Sequence, residues 1–285
     1  MSNKTNIYNL PKRVLSVIEG CNPERGRPSK KIVHVTQLQT PPYAWNLYRN
    51  KWDEIVKDYS DQLLIAQGSS LHECYEKYLP EQGWECEVHF EKEIDGVILT
   101  GTCDAFNPTT EILIDLKQTS VWGPSYKIDD YTKQTNCYAW FLQKRGMAVD
   151  KIYIDVWYRN WALKQSGYSK DYPKIPFETI EIPVWGVQRT ENYIKQQLEY
   201  LTMCKDECSR EDRWQKYSIM KNKNKTPSRN TTTVEEANLW IDKYHKENPT
   251  KKDKFTIVDS PPLNCLTYCN ARSVCDYALS LRRKK

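Results

Sequence analysis

Two aspartates and a lysine in a short stretch of the chain have the chemistry that phosphodiester hydrolysis needs. Asp104 ends a Gly-x-x-Asp sequence at 101–104, and an Asp-x-Lys sequence at 115–117 follows the apolar run 112–114. Carboxylate oxygens are the ligands that Mg²⁺ prefers, and the cation would lower the pKa of a water molecule and neutralise charge on the phosphate. Lys117 would position or help deprotonate that water, or stabilise the phosphorane.

Two paired strands are needed to bring these residues together. Residues 97–105 and 111–116 are predicted as strands, separated by the turn signal at 107–109. In a hairpin the two aspartates reach one edge of the sheet, and Asp115 and Lys117 share a face because they are two residues apart. An ordinary surface hairpin with a routine Asp/Lys pair is the alternative, since Asp-x-Lys alone is common.

The remaining sequence predicts a mixed α/β fold, with a central mixed sheet flanked by helices. Helical spacing of apolar residues, a capping pattern and strand-like alternation support this interpretation. The further predicted elements are helices at 65–78, 130–145, 190–208 and 233–246, and strands at 85–94, 152–158 and 180–184.

Four motifs follow one another along this part of the chain. They are Gly-x-x-x-His at 68–72, Gly-x-x-Asp at 101–104, Asp-x-Lys at 115–117 and Gln-x-x-x-Tyr at 134–138. This set resembles the RecB-type branch of the PD-(D/E)XK nucleases, and in particular its phage exonuclease-like members. The resemblance implies a restriction-endonuclease-like core and a metal-dependent DNA nuclease, with Asp104, Asp115 and Lys117 at its centre.

The predicted site contains further residues. By resemblance, His72 is an additional metal ligand, while Gln134 and Tyr138 join the catalytic set at the mouth of the site and share one helical face. The backbone carbonyl of Leu116 is a further candidate ligand. The alternative is that these are ordinary residues of amphipathic helices. Glu87, an acid on the preceding strand, is left outside the predicted site.

A group of cysteines near the C-terminus indicates a second site. Cys265, Cys269 and Cys275 place three thiols within eleven residues, which suggests metal ligation. RecB-type nucleases with iron–sulfur clusters often place one cysteine before the core, but Cys208 fits the phage-like members better than Cys21 does. We expect these four cysteines, including Cys208, to hold a structural [4Fe–4S] cluster. A Zn²⁺ ion is the main alternative, and free thiols are the other.

The charge is distributed unevenly along the sequence. The net charge is +5, yet residues 61–200 carry 14 Lys/Arg against 21 Asp/Glu, whereas residues 201–285 carry 18 against 11. An acidic centre with basic flanks suits a cation-binding nuclease, although ordinary solvated surface charge would also explain it. Basic stretches at 25–31, 221–225 and 251–254 are expected to bind DNA phosphates without regard to base sequence.

These observations divide the chain into three predicted parts. Residues 1–31 are interpreted as a flexible basic arm, 32–208 as the nuclease core, and 209–285 as a Cys-rich, helical C-terminal extension that holds the cysteine site. The N-terminus is polar and lacks the apolar stretch of a signal peptide, and no apolar run is long enough to span a bilayer. A cytoplasmic location in a bacterial or phage-infected cell, with reduced thiols, is expected.

The predicted function is an Mg²⁺- or Mn²⁺-dependent deoxyribonuclease, in the first place an exonuclease, acting in recombination, repair or replication. A recombinase, helicase or single-strand-binding protein is its expected partner. A catalytically silent DNA-binding module on a nuclease scaffold is one alternative. A structure-specific endonuclease and an unrelated cytosolic metalloprotein are the others.

Overall fold

A computed structural model describes residues 3–21, 26–29, 31–167, 171–203 and 205–282. The described residues form two compact units. Unit 1 comprises those within 1–40 and 56–202, and unit 2 those within 41–55 and 203–285. In the described part of the chain, no helix combines the length and apolar character needed to cross a membrane.

Both units mix helices with strands. In chain order the elements are β1 (Asn3–Thr5), α1 (Lys12–Cys21), β2 (Ile32–His34), α2 (Pro42–Asn50), β3 (Val56–Asp58), α3 (Leu63–Tyr78), β4 (Glu85–Ile94), β5 (Val97–Asn107), β6 (Ile112–Thr119), α4 (Gly123–Lys144), β7 (Lys151–Tyr158), α5 (Leu163–Ser166), β8 (Phe177–Ile182), α6 (Val187–Thr202), β9 (Tyr217–Lys221), β10 (Arg229–Thr231), α7 (Val234–Glu247), β11 (Phe255–Asp259) and α8 (Asp276–Arg282).

A six-stranded mixed sheet forms the middle of unit 1. Strands β4 and β6 both run antiparallel to β5, β7 is parallel to β6, and β8 is antiparallel to β7. The parallel pair β6–β7 requires a crossover, which α4 supplies. The predicted mixed α/β architecture, with a central mixed sheet flanked by helices, is confirmed.

One edge of β5 is shared between two strands. Its residues 98–100 pair in parallel with β2, and 105–107 pair with β6, while β4 follows the other edge. Residues 101–104 therefore have no described strand beside them on the shared edge. This gap in the sheet contains the Gly-x-x-Asp motif.

Helices α3 and α4 lie on opposite faces of the sheet. Gln134 of α4 donates to Asp115 of β6, while Tyr75 of α3 donates to Asp155 of β7. Asp115 is paired with Ile154, and successive strand residues point to opposite faces, so the two acids face different helices. The apolar core between these layers includes fully buried side chains from β5, β6 and β7, namely Leu99, Leu113, Ile152 and Ile154.

Part of the segment interpreted as an arm is folded. Helix α1 buries Ile18 and packs against α3, and β1 pairs in parallel with β3. Val14, Leu15 and Ile18 recur at helical spacing among charged residues, which explains the helix. Residues 1, 2, 22–25 and 30 of that segment lie outside the described residues.

Unit 2 contains a small antiparallel sheet, in the order β10-β9-β11, against which α7 packs. It also includes 41–55, where Trp52 and Ile55 are buried with Ala271 and Val274. The C-terminal unit therefore differs from the predicted extension 209–285, because it begins at Met203 and takes a segment from the N-terminal half.

Candidate metal centre

The centre of the candidate site lies where β5 and β6 separate. Their pairing ends with Ala105 opposite Ile114, and the next residues along the two strands, Asp104 and Asp115, are not paired. Instead, Asp104 Oδ2 accepts a hydrogen bond of 2.6 Å from the backbone amide of Leu116. The two predicted aspartates are thus brought to neighbouring strands at a point where the sheet opens.

Asp115, which is buried, and Lys117, which is half-buried, form an ion pair on one face of β6. Asp115 is only 1% exposed, and its Oδ2 lies 2.5 Å from Lys117 Nζ. Burial would lower the pKa of Lys117, but the charges of Asp115 and Asp104 outweigh it and raise that pKa. Lys117 is therefore a cation at neutral pH, and it offsets the cost of burying a carboxylate.

A compact set of possible metal ligands lies beside this pair. One ligand atom from each of His72, Glu87 and Asp104 lies within 4.8 Å of the other two. His72 Nδ1 is 3.4 Å from Glu87 Oε1 and 3.4 Å from Asp104 Oδ1. Two carboxylates and one imidazole are a suitable donor set for Mn²⁺ or Mg²⁺. Asp115 is not in this compact set.

Glu87 is the site residue that sequence reasoning missed. The β4–β5 register pairs Cys86 with Ala105 and Val88 with Cys103, which places Glu87 opposite Asp104 without a ladder pairing. The backbone of Glu87 has φ of 51°, a left-handed conformation that is unfavourable for a non-glycine residue. The position of Glu87 one strand before the Gly-x-x-Asp motif was a usable signal, because hairpin register alone sets it opposite Asp104.

The electrostatics of this centre favour cation binding. Burial, and next the charge of Asp115, raise the pKa of Asp104 to about 7, although Lys117 and His72 oppose the shift. The hydrogen bond with Glu87 raises the pKa of His72. Burial and the charge of Asp115 thus destabilise the ionised form of Asp104, which a bound cation would stabilise.

Gln134 and Tyr138 complete the site from α4. Gln134 Nε2 donates to Tyr138 Oη at 3.0 Å and lies 3.4 Å from Asp115 Oδ1. The Tyr138 ring covers Gly101, where an added Cβ would lie 2.9 Å from Tyr138 Cε1 and 3.0 Å from Val35 Cγ2. The glycine of the Gly-x-x-Asp motif is therefore required by close packing.

A polar network fixes α3 next to the site. Tyr75, one helical turn after His72, donates to Asp155 Oδ2 at 3.2 Å and accepts from Trp157 Nε1 at 3.2 Å. Thr179 Oγ1 donates to Asp155 Oδ1 at 2.7 Å. This network holds the helix that carries His72 at a defined distance from the sheet.

The structure brings the four predicted cysteines together within unit 2. Cys265 and Cys275 are buried in one apolar cluster, and α8 begins directly after Cys275. Burial first, and Asp212 and the other three thiols next, raise the pKa of Cys208 to about 12. Burial, followed by Cys269 and Cys275, raises that of Cys265 to about 11.

The spacing of these thiols is wider than that of the acidic set. All four cysteines are described, but no three of their sulfur atoms lie within 4.8 Å of one another. Ligands of one tetrahedral zinc ion lie closer together, because each Zn–S bond is about 2.3 Å long.

Comparisons with known proteins show only distant similarity. The sequence matches no protein-family model and no curated protein. Among solved structures, that of SSO0001 is 16% identical, with a TM-score of 0.46 over 65% of this chain and 83% of the other. A phage-related exonuclease from Haemophilus somnus 129PT is 16% identical, with a TM-score of 0.31 over 59% and 91%.

Proposed function

We propose that this chain is a divalent-cation-dependent deoxyribonuclease of the PD-(D/E)XK type. The observation that carries the proposal is the convergence at one opening of the sheet. Asp104 and Asp115 lie on separating strands, His72 and Glu87 lie within ligand distance of Asp104, and Lys117 lies beside them as a half-buried cation. The succession α3, β4, β5, β6, α4 and β7, with its parallel β6–β7 pair, supports the same assignment.

The residues present fit a hard cation with some tolerance for nitrogen. His72, Glu87 and Asp104 would hold it, and Asp115 and the carbonyl of Leu116 remain predicted ligands beside them. When bound, the cation would neutralise charge on the scissile phosphate and activate water for in-line attack. Mn²⁺ should bind at least as well as Mg²⁺, because imidazole is a poor ligand for Mg²⁺.

Lys117 has an electrostatic role in this proposal. Its raised pKa keeps it protonated at neutral pH, so it is better suited to stabilise developing negative charge than to remove a proton from water. Gln134 positions the Asp115 carboxylate through its side-chain amide. Tyr138, whose pKa is raised well above its ordinary value by burial, stays a neutral phenol that holds Gln134.

Cleavage of end-labelled and of covalently closed DNA, each with Mg²⁺ or Mn²⁺, tests the proposal and separates exonuclease from endonuclease activity. Asp115→Asn should reduce the rate by about 100- to 1,000-fold, because it removes a charge that acts on the transition state. Asp95→Asn is the matched control, since Asp95 is exposed in the β4–β5 turn and Asn tolerates its left-handed backbone.

Two results would contradict the proposed nuclease activity. Cleavage by Asp115→Asn at the wild-type rate would exclude the assigned centre. Binding of DNA without cleavage under either metal would favour the silent binding module instead.

We further propose that unit 2 holds a [4Fe–4S] cluster on Cys208, Cys265, Cys269 and Cys275, in preference to zinc. The four thiols lie together within unit 2, and all-cysteine ligation suits such a cluster. Protein purified without oxygen should absorb near 400 nm and contain iron and sulfide. Cys275→Ser should lose this absorption, whereas Cys74→Ser, at an exposed thiol, should keep it. Stoichiometric zinc in colourless protein would refute the cluster.

DNA binding outside the centre is assigned to two adjoining loops of unit 2. Lys254 and Asn222 are joined by hydrogen bonds of 2.7 and 2.9 Å, and these tie the loop after β9 to the loop before β11. Asp253 is already engaged by Lys221 and Tyr244. Five exposed lysines on the two loops form no ion pair with a described residue, namely Lys223, Lys225, Lys251, Lys252 and Lys254.

A further inference from the structure

A cavity of about 540 Å³ opens in unit 1 where the strand of the Asp-x-Lys motif ends. Its wall includes four aromatic rings, from Trp122, Tyr158, Tyr172 and Phe177, and also Lys174 and two carboxylates, Asp171 and Glu178. This volume lies within the range of small-ligand sites, which is about 300–1,000 Å³. The function proposed above does not use this cavity.

Hydrogen bonds hold the aromatic wall in place. Tyr172 Oη accepts from the Ala162 amide at 2.8 Å, and Tyr158 Oη donates to Glu178. Trp122 differs, because its ring is 46% exposed and stands edge-on to Tyr172, with 6.4 Å between ring centroids. A fixed aromatic pocket with a broad indole at its mouth offers a stacking surface for a flat ring.

Basic residues lie near the acidic centre and near this pocket. Lys117 Nζ lies 5.5 Å from the ring centroid of Tyr131, one turn along α4 from Lys127. Burial, opposed by Asp130 and assisted by the charges of Arg159 and Lys117, lowers the pKa of Lys127. Lys127 therefore lies near Lys117 and Arg159, and Arg159 directly follows Tyr158 of the pocket wall.

We propose that this cavity is a nucleobase pocket, which takes one unstacked base of a single strand whose phosphate lies at the acidic centre. The proposal rests on the nuclease function above and deepens it, because it makes a single-stranded or frayed end the preferred substrate. A base inside a duplex cannot enter such a pocket without unpairing. Stacking on an aromatic side chain contributes about 1–3 kcal/mol per base with little sequence preference.

The test measures DNA affinity without metal, in the Asp115→Asn background, so that cleavage plays no part. The probes are a labelled single-stranded oligonucleotide, a set with one abasic nucleotide at each successive position, and a blunt duplex. Trp122→Ala should weaken binding of the single strand about tenfold, within the range of aromatic stacking. Tyr126→Ala is the matched control, since Tyr126 lies in α4 just after Trp122, is 74% exposed and does not line the cavity.

The decisive readout is the coupling between protein and base. At one position, an abasic nucleotide should weaken binding to the Asp115→Asn protein about tenfold. The same abasic nucleotide should weaken binding no further when Trp122→Ala is added, whereas with Trp122→Phe the tenfold penalty should return. Equal abasic penalties in both proteins, or unchanged single-strand affinity, would overturn the pocket. Coupling in this test, together with no cleavage by the unaltered protein under Mg²⁺ or Mn²⁺, would reject the nuclease and keep the pocket.

Discussion

At the scale of single residues, two motif glycines differ in what surrounds them. An added methyl group at Gly101 would lie 2.9 Å from the Tyr138 ring, whereas at Gly68 it would meet nothing within 4 Å. Gly101→Ala should therefore destabilise the fold by about 1–3 kcal/mol through overpacking. Gly68→Ala should stabilise it by about 0.5–1 kcal/mol, because alanine is favoured within a helix. Urea denaturation of both variants measures the difference.

The same pair separates packing from chemistry. Displacement of Tyr138 by Gly101→Ala would also move Gln134 away from Asp115. The nuclease rate should therefore fall even at a temperature where this variant is fully folded. Equal stability of Gly101→Ala and Gly68→Ala would contradict the close approach to Tyr138.

The raised pKa of Asp104 predicts that metal affinity depends on pH. The pKa of Asp104 is about 7, so at lower pH its carboxyl group is protonated and a cation must displace that proton to bind. Affinity for Mn²⁺ should thus rise about tenfold per pH unit for each displaced proton, and level off once Asp104 and His72, whose pKa is also raised, have both lost theirs. Titration calorimetry from pH 5.5 to 8.5 measures this dependence.

Asp104→Asn provides the comparison. It removes one titrating ligand, so the affinity should be lower and less steep with pH. An affinity for Mn²⁺ that is independent of pH in the unaltered protein would rule out Asp104 as a buried ligand.

At the scale of elements, strand β4 has an unfavourable backbone conformation at Glu87, whose carboxylate is a candidate metal ligand. Glycine adopts the left-handed conformation of Glu87 without strain, so Glu87→Gly should cost about 1 kcal/mol less stability than Glu93→Gly, a residue with regular pairing in the same strand. Thermal unfolding measures this. Metal affinity should fall only in Glu87→Gly, and an equal loss of stability in both variants would refute strain at Glu87.

Most elements around the site could be predicted from the sequence, because their apolar residues repeat with the period of the structure that they form. Strand β4 has the predicted bounds, and β5, β6, β7 and α3 differ from theirs by one to three residues. Helix α4 begins earlier than predicted, at Gly123. Pro124 was compatible with that start, since proline is tolerated in the first turn of a helix.

Other features depend on long-range pairing, and the sequence could not reveal them. Strand β10 has three residues and β9 and β11 have five each, which is too short for a clear alternation. Glu87 differs from these, because hairpin register alone sets it opposite Asp104 and could have indicated it as a ligand. The roles of the site residues stay predictions until they are tested.

At the scale of the whole molecule, the uneven charge predicts that the salt dependence of DNA affinity arises from lysines of unit 2. Replacement of Lys223 and Lys225 by Gln should reduce the slope of log affinity against log salt by about 0.7 for each lysine that contacts a single strand. Lys243→Gln should leave the slope unchanged, because Lys243 is already paired with Glu247. Fluorescence titrations from low to moderate salt measure these slopes, and equal slopes in all variants would remove the two loops from the DNA-binding surface.

The path of the chain between the units has a consequence for biosynthesis. Trp52 and Ile55 are translated long before Ala271 and Val274, against which they are buried. Unit 2 therefore cannot complete its core until residues 271–274 have been translated. A premature stop after residue 202 would leave two large apolar side chains exposed to water, so truncated products should aggregate or be degraded, and not persist as a free nuclease core.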